Sequence, residues 1–223
     1  MGINTLMLRR EISYTDLTTA DGLSSEESLF VSRLCANEDA AYDELVRTYH
    51  TGIYHLACRM LSDPAESADV TQDVFVKVFK NIARFRGQCS LKTWIYKVAV
   101  SEILNRLRWS LRRFRHQTVS LDDEPVNEQG SPNPIQVPDR GPDPEVALQN
   151  RERGDAIQAA LTKLSRQHRS IVVLRDVQGF SYEEISQILG VSIGTVKSRL
   201  ARARDELKKS LARYLSVQRI RSL

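Results

Sequence analysis

Six of the seven prolines in this 223-residue chain fall between Leu121 and Glu145, at positions 125, 132, 134, 138, 142 and 144. Proline fixes φ and has no backbone N–H, so at that density the stretch cannot join a packed core. The same stretch carries seven acids and one arginine, too little apolar surface to order itself. It is expected to be a disordered or extended acidic spacer. The chain therefore reads as two small bodies on a tether, 24–116 and 144–214, with a linker at 117–143, an N-terminal extension at 1–23 and a basic tail at 215–223.

Beyond the spacer, Asp143-Pro144-Glu145 has the order of an N-cap, a first-turn proline and a first-turn acid, and restarts helix. Further on, Ser181 and Glu184 are spaced so that each side chain can satisfy an orphan N–H at a helix start. That helix runs through Ile185, Ile188 and Leu189. Gly190 then supplies a left-handed end, and Ser192 stands where the next N-cap belongs. Two helices with so short a turn between them form a helix-turn-helix.

At about 100° per residue, Val196, Leu200, Ala203, Leu207 and Leu211 share one stripe of the second helix, its buried face. Thr195, Ser198, Ala201 and Arg202 lie opposite, where they would reach base edges. Lys197, Arg199 and Arg204 flank them, where phosphates would lie. Charge agrees. Residues 193–223 hold nine Lys or Arg (197, 199, 202, 204, 208, 209, 213, 219, 221) against Asp205 and Glu206. Residues 103–121 hold five Arg (106, 108, 112, 113, 115) and no acid, a second basic surface in the other body.

That first body also reads as all helix, since no stretch alternates or signals a hairpin. Ser24 and Glu27 repeat the capping spacing ahead of Leu29, Phe30, Val31 and Leu34. A second helix begins near Asp39, and its apolar face runs from Tyr42 to Met60. Asp63-Pro64 caps a third, with Val70, Val74, Phe75, Val78, Phe79 and Ile82 inward and Asp69, Gln72 and Asp73 outward. A loop, Phe85-Arg86-Gly87-Gln88-Cys89, leads to a fourth helix from Ser90 that ends in the arginines. The fold class is all-α.

No apolar run of 18 residues and no charged-then-apolar leader occurs, so a cytoplasmic protein without membrane insertion is expected. Cysteines at 35, 58 and 89 fit neither a disulfide framework nor a zinc ribbon, and His55 with Cys58 lacks a second ligand pair. No metal and no cofactor is expected. Asp69 with Asp73, or Glu183 with Glu184, has no accompanying general base, so no catalytic residue is assigned.

The ordered set Asp69-Val-Thr-Gln72-Asp73-Val-Phe75, Phe85-Arg86-Gly87, Leu91-Lys-Thr93-Trp94-Ile95-Tyr96, an acidic linker, Ser181-Tyr-Glu-Glu184-Ile185 and Gly194-Thr-Val-Lys-Ser198-Arg199 resembles bacterial RNA polymerase sigma factors of the extracytoplasmic-function (ECF) group. The resemblance runs from about Ser24 to Arg213. It implies a sigma-2-like helical bundle and a sigma-4-like helix-turn-helix domain. It also implies core RNA polymerase as partner, through the β′ clamp helices and the β flap, together with promoter DNA and an anti-sigma factor.

Position by position, the resemblance puts the β′ clamp on Asp69, Gln72 and Asp73. It puts a flipped non-template base of the −10 element at Phe85, Arg86, Gln88 and Ser90, with Ser101, Asn105, Arg106 and Arg108 on the helix that follows. The chemistry suits that task, because a flipped base needs an apolar wall and edge hydrogen bonds while its phosphates need cations. Ser101 stands where relatives often carry Asn. Trp94 and Tyr96 read as core aromatics first and strand-opening platforms second. The resemblance also places Thr195, Lys197, Ser198, Arg199, Ala201, Arg202 and Arg204 on the −35 duplex.

A linker of about 26 residues spans at most roughly 85 Å extended and about 28 Å as a flexible coil. Two promoter boxes one or two helical turns apart need about 35–70 Å, so the linker must be held open on DNA. The alternative function is a free-standing helix-turn-helix regulator with an N-terminal sensing domain. Such a protein would bind promoter DNA without polymerase.

Overall fold

A computed structural model describes residues 23–117 and 144–221, with backbone alone at 111–117, 144–150 and 213–221. The linker, the N-terminal extension up to residue 22 and the last two residues of the tail lie outside the described residues. Eight α-helices carry the fold: α1 (Ser25–Cys35), α2 (Asp39–Leu61), α3 (Pro64–Asn81), α4 (Leu91–Gln117), α5 (Pro144–Lys163), α6 (Arg166–Val172), α7 (Tyr182–Leu189) and α8 (Ile193–Arg221). Among the described residues there is no strand.

The caps read at Ser24 and Asp63 are in place, and the one read at Asp143 lies outside the described residues. Glu27 N donates to Ser24 Oγ at the start of α1, and Glu66 N to Asp63 Oδ1 at the start of α3, whose first residue is Pro64. Ser62 ends α2 in the left-handed region at φ 66°. Leu45, Ile53, Leu56 and Met60 of α2 meet Val74 and Val78 of α3 and Ile95 and Ile103 of α4, all buried. Ser67 and Thr71 are buried there too, and Thr71 returns its hydroxyl to Ser67 O of its own helix at 2.7 Å, so no polar atom is stranded.

One expected box is only half formed. Glu27 does not reach back to the Ser24 N–H but accepts from Leu91 N at 2.6 Å. The N-terminus of α4 offers free donors and partial positive charge, and it captures the carboxylate.

The second body is built on α6 and α8, with Leu161, Ile171, Leu174, Ile185, Val196 and Leu200 at its centre. Ser165 opens α6 by accepting from His168 N, and the helix widens into a π segment over Val173–Val177. The stretch set apart as a basic tail does not stand alone, since α8 continues to Arg221.

The two bodies do not stand apart. Helix α7 packs on α4 and α5 packs on α2. Phe180, just before α7, meets Tyr96 of α4 edge-on at 4.7 Å, and Tyr96 is 3% exposed. Tyr96 is thus a core aromatic, as read, but a wall of that core comes from the other domain.

Candidate nucleic-acid interface

The helix-turn-helix forms by the chemistry read from its residues. Ser181 N donates to Glu184 Oε2 (2.7 Å) and Glu184 N to Ser181 Oγ (3.1 Å), a complete capping box. Gly190, at φ 65°, ends α7, and Ser186 Oγ donates to Val191 O at 2.6 Å to hold the turn. Ser192 then accepts from Thr195 N at 3.2 Å and starts α8. Val196, Leu200 and Ala203 are buried, and Leu207 and Leu211 are half-buried. The stripe is as the helical wheel drew it.

Burying that stripe turns the opposite face outward. Lys197, Ser198, Ala201 and Arg202 are exposed, while Thr195 and Arg199 are half-buried. The Thr195 hydroxyl lies 2.9 Å from Ser192 Oγ, so it already serves the cap. Arg204 is tethered: its guanidinium forms a two-pronged pair with Asp176 of the π segment, with Nε 3.1 Å from Oδ2 and Nη2 on Oδ1. The Asp176 hydrogen bond raises the Arg204 pKa above its ordinary value and fixes the side chain against the flank of α8.

In the first body, the loop before α4 exposes Arg86 and Gln88. Phe85 is half-buried with its ring 5.3 Å from that of Trp94, which gives the loop an apolar wall. Gly87 takes φ 68°, a left-handed turn that an L side chain would strain. Ser90 is the N-cap of α4, accepting from Thr93 N at 3.1 Å and donating to Thr93 Oγ1 at 2.9 Å. Burial pushes the nearby Cys89 thiol up, which keeps it protonated at neutral pH.

Along α4, Ser101, Asn105 and Arg108 are exposed and Arg106 is half-buried. Asn105 Nδ2 donates to Glu102 Oε1 at 3.3 Å, and Arg108 Nε to Leu104 O at 3.3 Å. The side chains of Arg112, Arg113 and Arg115 lie outside the described residues.

On α3, Asp69, Gln72 and Asp73 are all exposed on the outward face. The structure joins this face to α4, for Arg106 Nη2 lies 3.2 Å from Asp73 Oδ2 and Lys77 Nζ lies 2.6 Å from Glu102 Oε1. Both pairs bridge α3 and α4. An open cleft of about 320 Å³ lies there, lined by Val70, Asp73, Glu102, Asn105, Arg106 and Trp109.

Two apolar residues on these surfaces escaped the sequence reading. Val76 is 46% exposed one turn beyond Gln72 and Asp73, and Trp109 is 49% exposed at the cleft. Their signal was an apolar residue off the buried stripe of its helix. No cluster of three His, Cys, Asp or Glu fit for a metal occurs among the described residues. Nor does any described helix have the length and apolarity to cross a membrane.

Fold and surfaces together define a helical, two-domain protein with a helix-turn-helix reader and a second basic surface. Residues 45–113 match the family Sigma-70 region 2, and residues 154–207 match Sigma-70, region 4. The chain is 33% identical over 176 residues to the ECF RNA polymerase sigma factor SigE of Mycolicibacterium smegmatis, covering 79% of this chain and 63% of that one. It is 33% identical over 178 residues to the RNA polymerase sigma factor YlaC of Bacillus subtilis, covering 80% of this chain and 96% of that one. The sigma factor RpoE of Bartonella quintana, solved with the anti-sigma factor NepR, shares the fold at a TM-score of 0.59 and 24% identity, over 77% of this chain and 96% of that one. The chain belongs to the ECF group of the sigma-70 family.

Proposed function

We propose that the chain binds core RNA polymerase and directs initiation at specific promoters, reading −35 duplex with α8 and holding the melted −10 strand with the 85–90 loop and α4. The observation that carries this reading is the outward face of α8, where Lys197, Ser198, Ala201 and Arg202 are presented together by a fully capped helix-turn-helix. A major groove admits such a helix, and a solvent-facing arginine is the commonest reader of guanine. On the first body, the Phe85–Trp94 wall and the exposed Arg86 and Gln88 suit an unstacked base and its phosphates.

Asp69, Gln72 and Asp73 are assigned to the β′ clamp helices, and the second domain to the β flap. Val76, an apolar centre among those polar residues, belongs to the same docking face. No covalent chemistry is assigned. Gripping opened DNA favours the open complex only to the extent that single strand is bound better than duplex. The protein works in the cytoplasm, where its polymerase is, and an anti-sigma factor is a further partner of the reading.

The test is run-off transcription with purified core polymerase on a promoter library, alongside gel filtration with that polymerase. Co-elution and initiation from a defined set of promoters are expected. A chain that binds promoter DNA tightly alone and neither co-elutes nor supports initiation would be a regulator instead.

A further inference from the structure

The open cleft between α3 and α4 joins apolar walls to hydrogen-bonding groups of both kinds. Val70, 1% exposed, and the Trp109 indole, 49% exposed, are its apolar residues. Asp73, Glu102, Asn105 and Arg106 bring two carboxylates, an amide and a guanidinium to the same space of about 320 Å³. That volume is at the lower end of small-ligand sites. Helix α4 rises about 1.5 Å per residue, so Arg106 lies about 24 Å along it from Ser90. The cleft is therefore separate from the 85–90 loop.

Its charges are already balanced. Arg106 Nη2 pairs with Asp73 Oδ2 at 3.2 Å, and Lys77 Nζ with Glu102 Oε1 at 2.6 Å, so each acid has its own cation. A phosphate would meet no surplus of positive charge, and a metal ion would have to displace both cations. What remains is capacity for a neutral ligand. Asn105 Nδ2 donates to Glu102 Oε1 at 3.3 Å, and among the described residues Glu102 Oε2, Asn105 Oδ1 and Arg106 Nη1 make no hydrogen bond.

A flat ring with one accepting edge and one donating edge suits that set. Guanine has this pattern, since O6 and N7 accept from an arginine while N1–H and the N2 amino group donate to a carboxylate. Adenine would turn the lone pair of its N1 toward the carboxylate. Cytosine offers the carboxylate its N4 amino group but has no acceptor pair for the arginine. The indole adds a stacking surface.

We propose that the α3–α4 cleft binds one unstacked guanine base, with Glu102 accepting from its N1–H and N2 amino group, Arg106 donating to O6 and N7, and Trp109 stacking on the ring. Supply of that base by the opened strand of a promoter rests on the sigma-factor reading; the preference for guanine does not. A free guanine nucleotide carries the same base and is the other source.

The test measures fluorescence anisotropy of labelled single-stranded thymine oligonucleotides that carry one guanine, one adenine or one cytosine, with the full chain and no polymerase. The wild type should bind the guanine strand at least about fivefold more tightly than the other two, the discrimination that one two-point base contact provides. Glu102→Gln replaces the carboxylate by an amide, which pairs with adenine, so it should abolish the guanine preference or turn it toward adenine. Trp109→Ala should weaken the guanine strand by about fivefold or more. Both variants should keep their helical circular dichroism, and Gln187→Ala, exposed on α7, should bind like wild type. Calorimetric titration of guanosine monophosphate separates the sources. A nucleotide bound as tightly as the guanine strand is itself the ligand, whereas much weaker binding leaves the strand as the source.

Equal affinity of the wild type for the three strands, or an unaltered guanine preference in Glu102→Gln, would overturn the site. Variants that change only the affinity for core polymerase would overturn it by making the cleft a protein contact. Loss of helix in both would do so by assigning Glu102 and Trp109 to the fold. Failure to initiate with polymerase would remove the promoter strand as source and leave the guanine preference standing.

Discussion

Arg106 of α4 reaches Asp73 of α3 at 3.2 Å, so one ion pair joins a residue assigned to −10 DNA with one assigned to polymerase. Asp73 is largely exposed and Arg106 half-buried, so the pair is worth about 0.2–1 kcal/mol and is screened by salt. Any partner that takes Asp73 releases Arg106 toward phosphate. Asp73→Asn should weaken binding to core polymerase while strengthening binding of single-stranded −10 DNA to the free chain by up to about fivefold at low salt. Filter binding and polymerase titration check both signs; a loss on both would show that Asp73 only holds Arg106 in place.

On α8 the exposed Arg202 and Lys197 take different roles. Arg202→Ala should cost about 1–3 kcal/mol on the preferred −35 sequence and relax one base position. Lys197→Ala should weaken all sequences alike and reduce the salt slope by about one. Binding to a randomised −35 duplex at several salt concentrations distinguishes them. Equal losses for both on every sequence would reject the division.

Arg204, read as a phosphate contact, is paired with Asp176 in the free chain, and that pair predicts a positioning role for it. Removing an acid near DNA ordinarily helps an anionic ligand bind. Asp176→Asn should instead weaken −35 duplex binding, by about 0.5–1.5 kcal/mol, because the bond that steadies the flank of α8 is lost. A gain in affinity for that variant would return Arg204 to direct phosphate contact.

The helix-turn-helix was legible because its determinants are local. Ser181 with Glu184, Gly190 and Ser192 each act within five residues of themselves, and each does what its spacing foretold. The Ser24–Glu27 box failed in its second half because a donor 64 positions along the chain, at Leu91, outbid the local one. No periodicity marks such a pairing. The docking of the two bodies was hidden for the same reason, since it includes hydrogen bonds from Gln158 to Cys58 O, Gln178 to Gly52 O and Arg169 to Met60 O, residue types that read as solvent-facing. Asp69, Gln72 and Asp73 are outward as read, whereas Val76 beside them needed the structure to show that it is bare.

Burial, helped by the neighbouring Tyr49, pushes the Tyr96 phenol up to about 12, against about 10 for an ordinary tyrosine. The folded chain holds that proton longer than the unfolded chain does. Its contribution to stability is therefore full below pH about 10 and is lost as pH climbs toward about 12. Absorbance titration should show a late tyrosine step that Tyr96→Phe removes. Because Phe180 covers Tyr96, Phe180→Ala should move that step toward 10.

Gly52, inside α2, gives a prediction whose sign reverses with its neighbour. In an open helix position Gly→Ala stabilises by about 0.5–1 kcal/mol. Here an added Cβ would sit 2.3 Å from Tyr96 Oη, with Tyr96 Cζ at 3.6 Å and Gln178 Oε1 at 3.7 Å. Only the hydroxyl is in the way, and Tyr96 is too enclosed to step aside. Gly52→Ala should therefore destabilise the wild type by about 1–3 kcal/mol, as overpacking does. In a Tyr96→Phe background the obstruction is gone and the remaining contacts are ordinary. There the same substitution should stabilise by about 0.5–1 kcal/mol relative to Tyr96→Phe alone. Urea unfolding of the four proteins measures the reversal; a loss of equal size in both backgrounds would mean that α2, not Tyr96, rejects the methyl group.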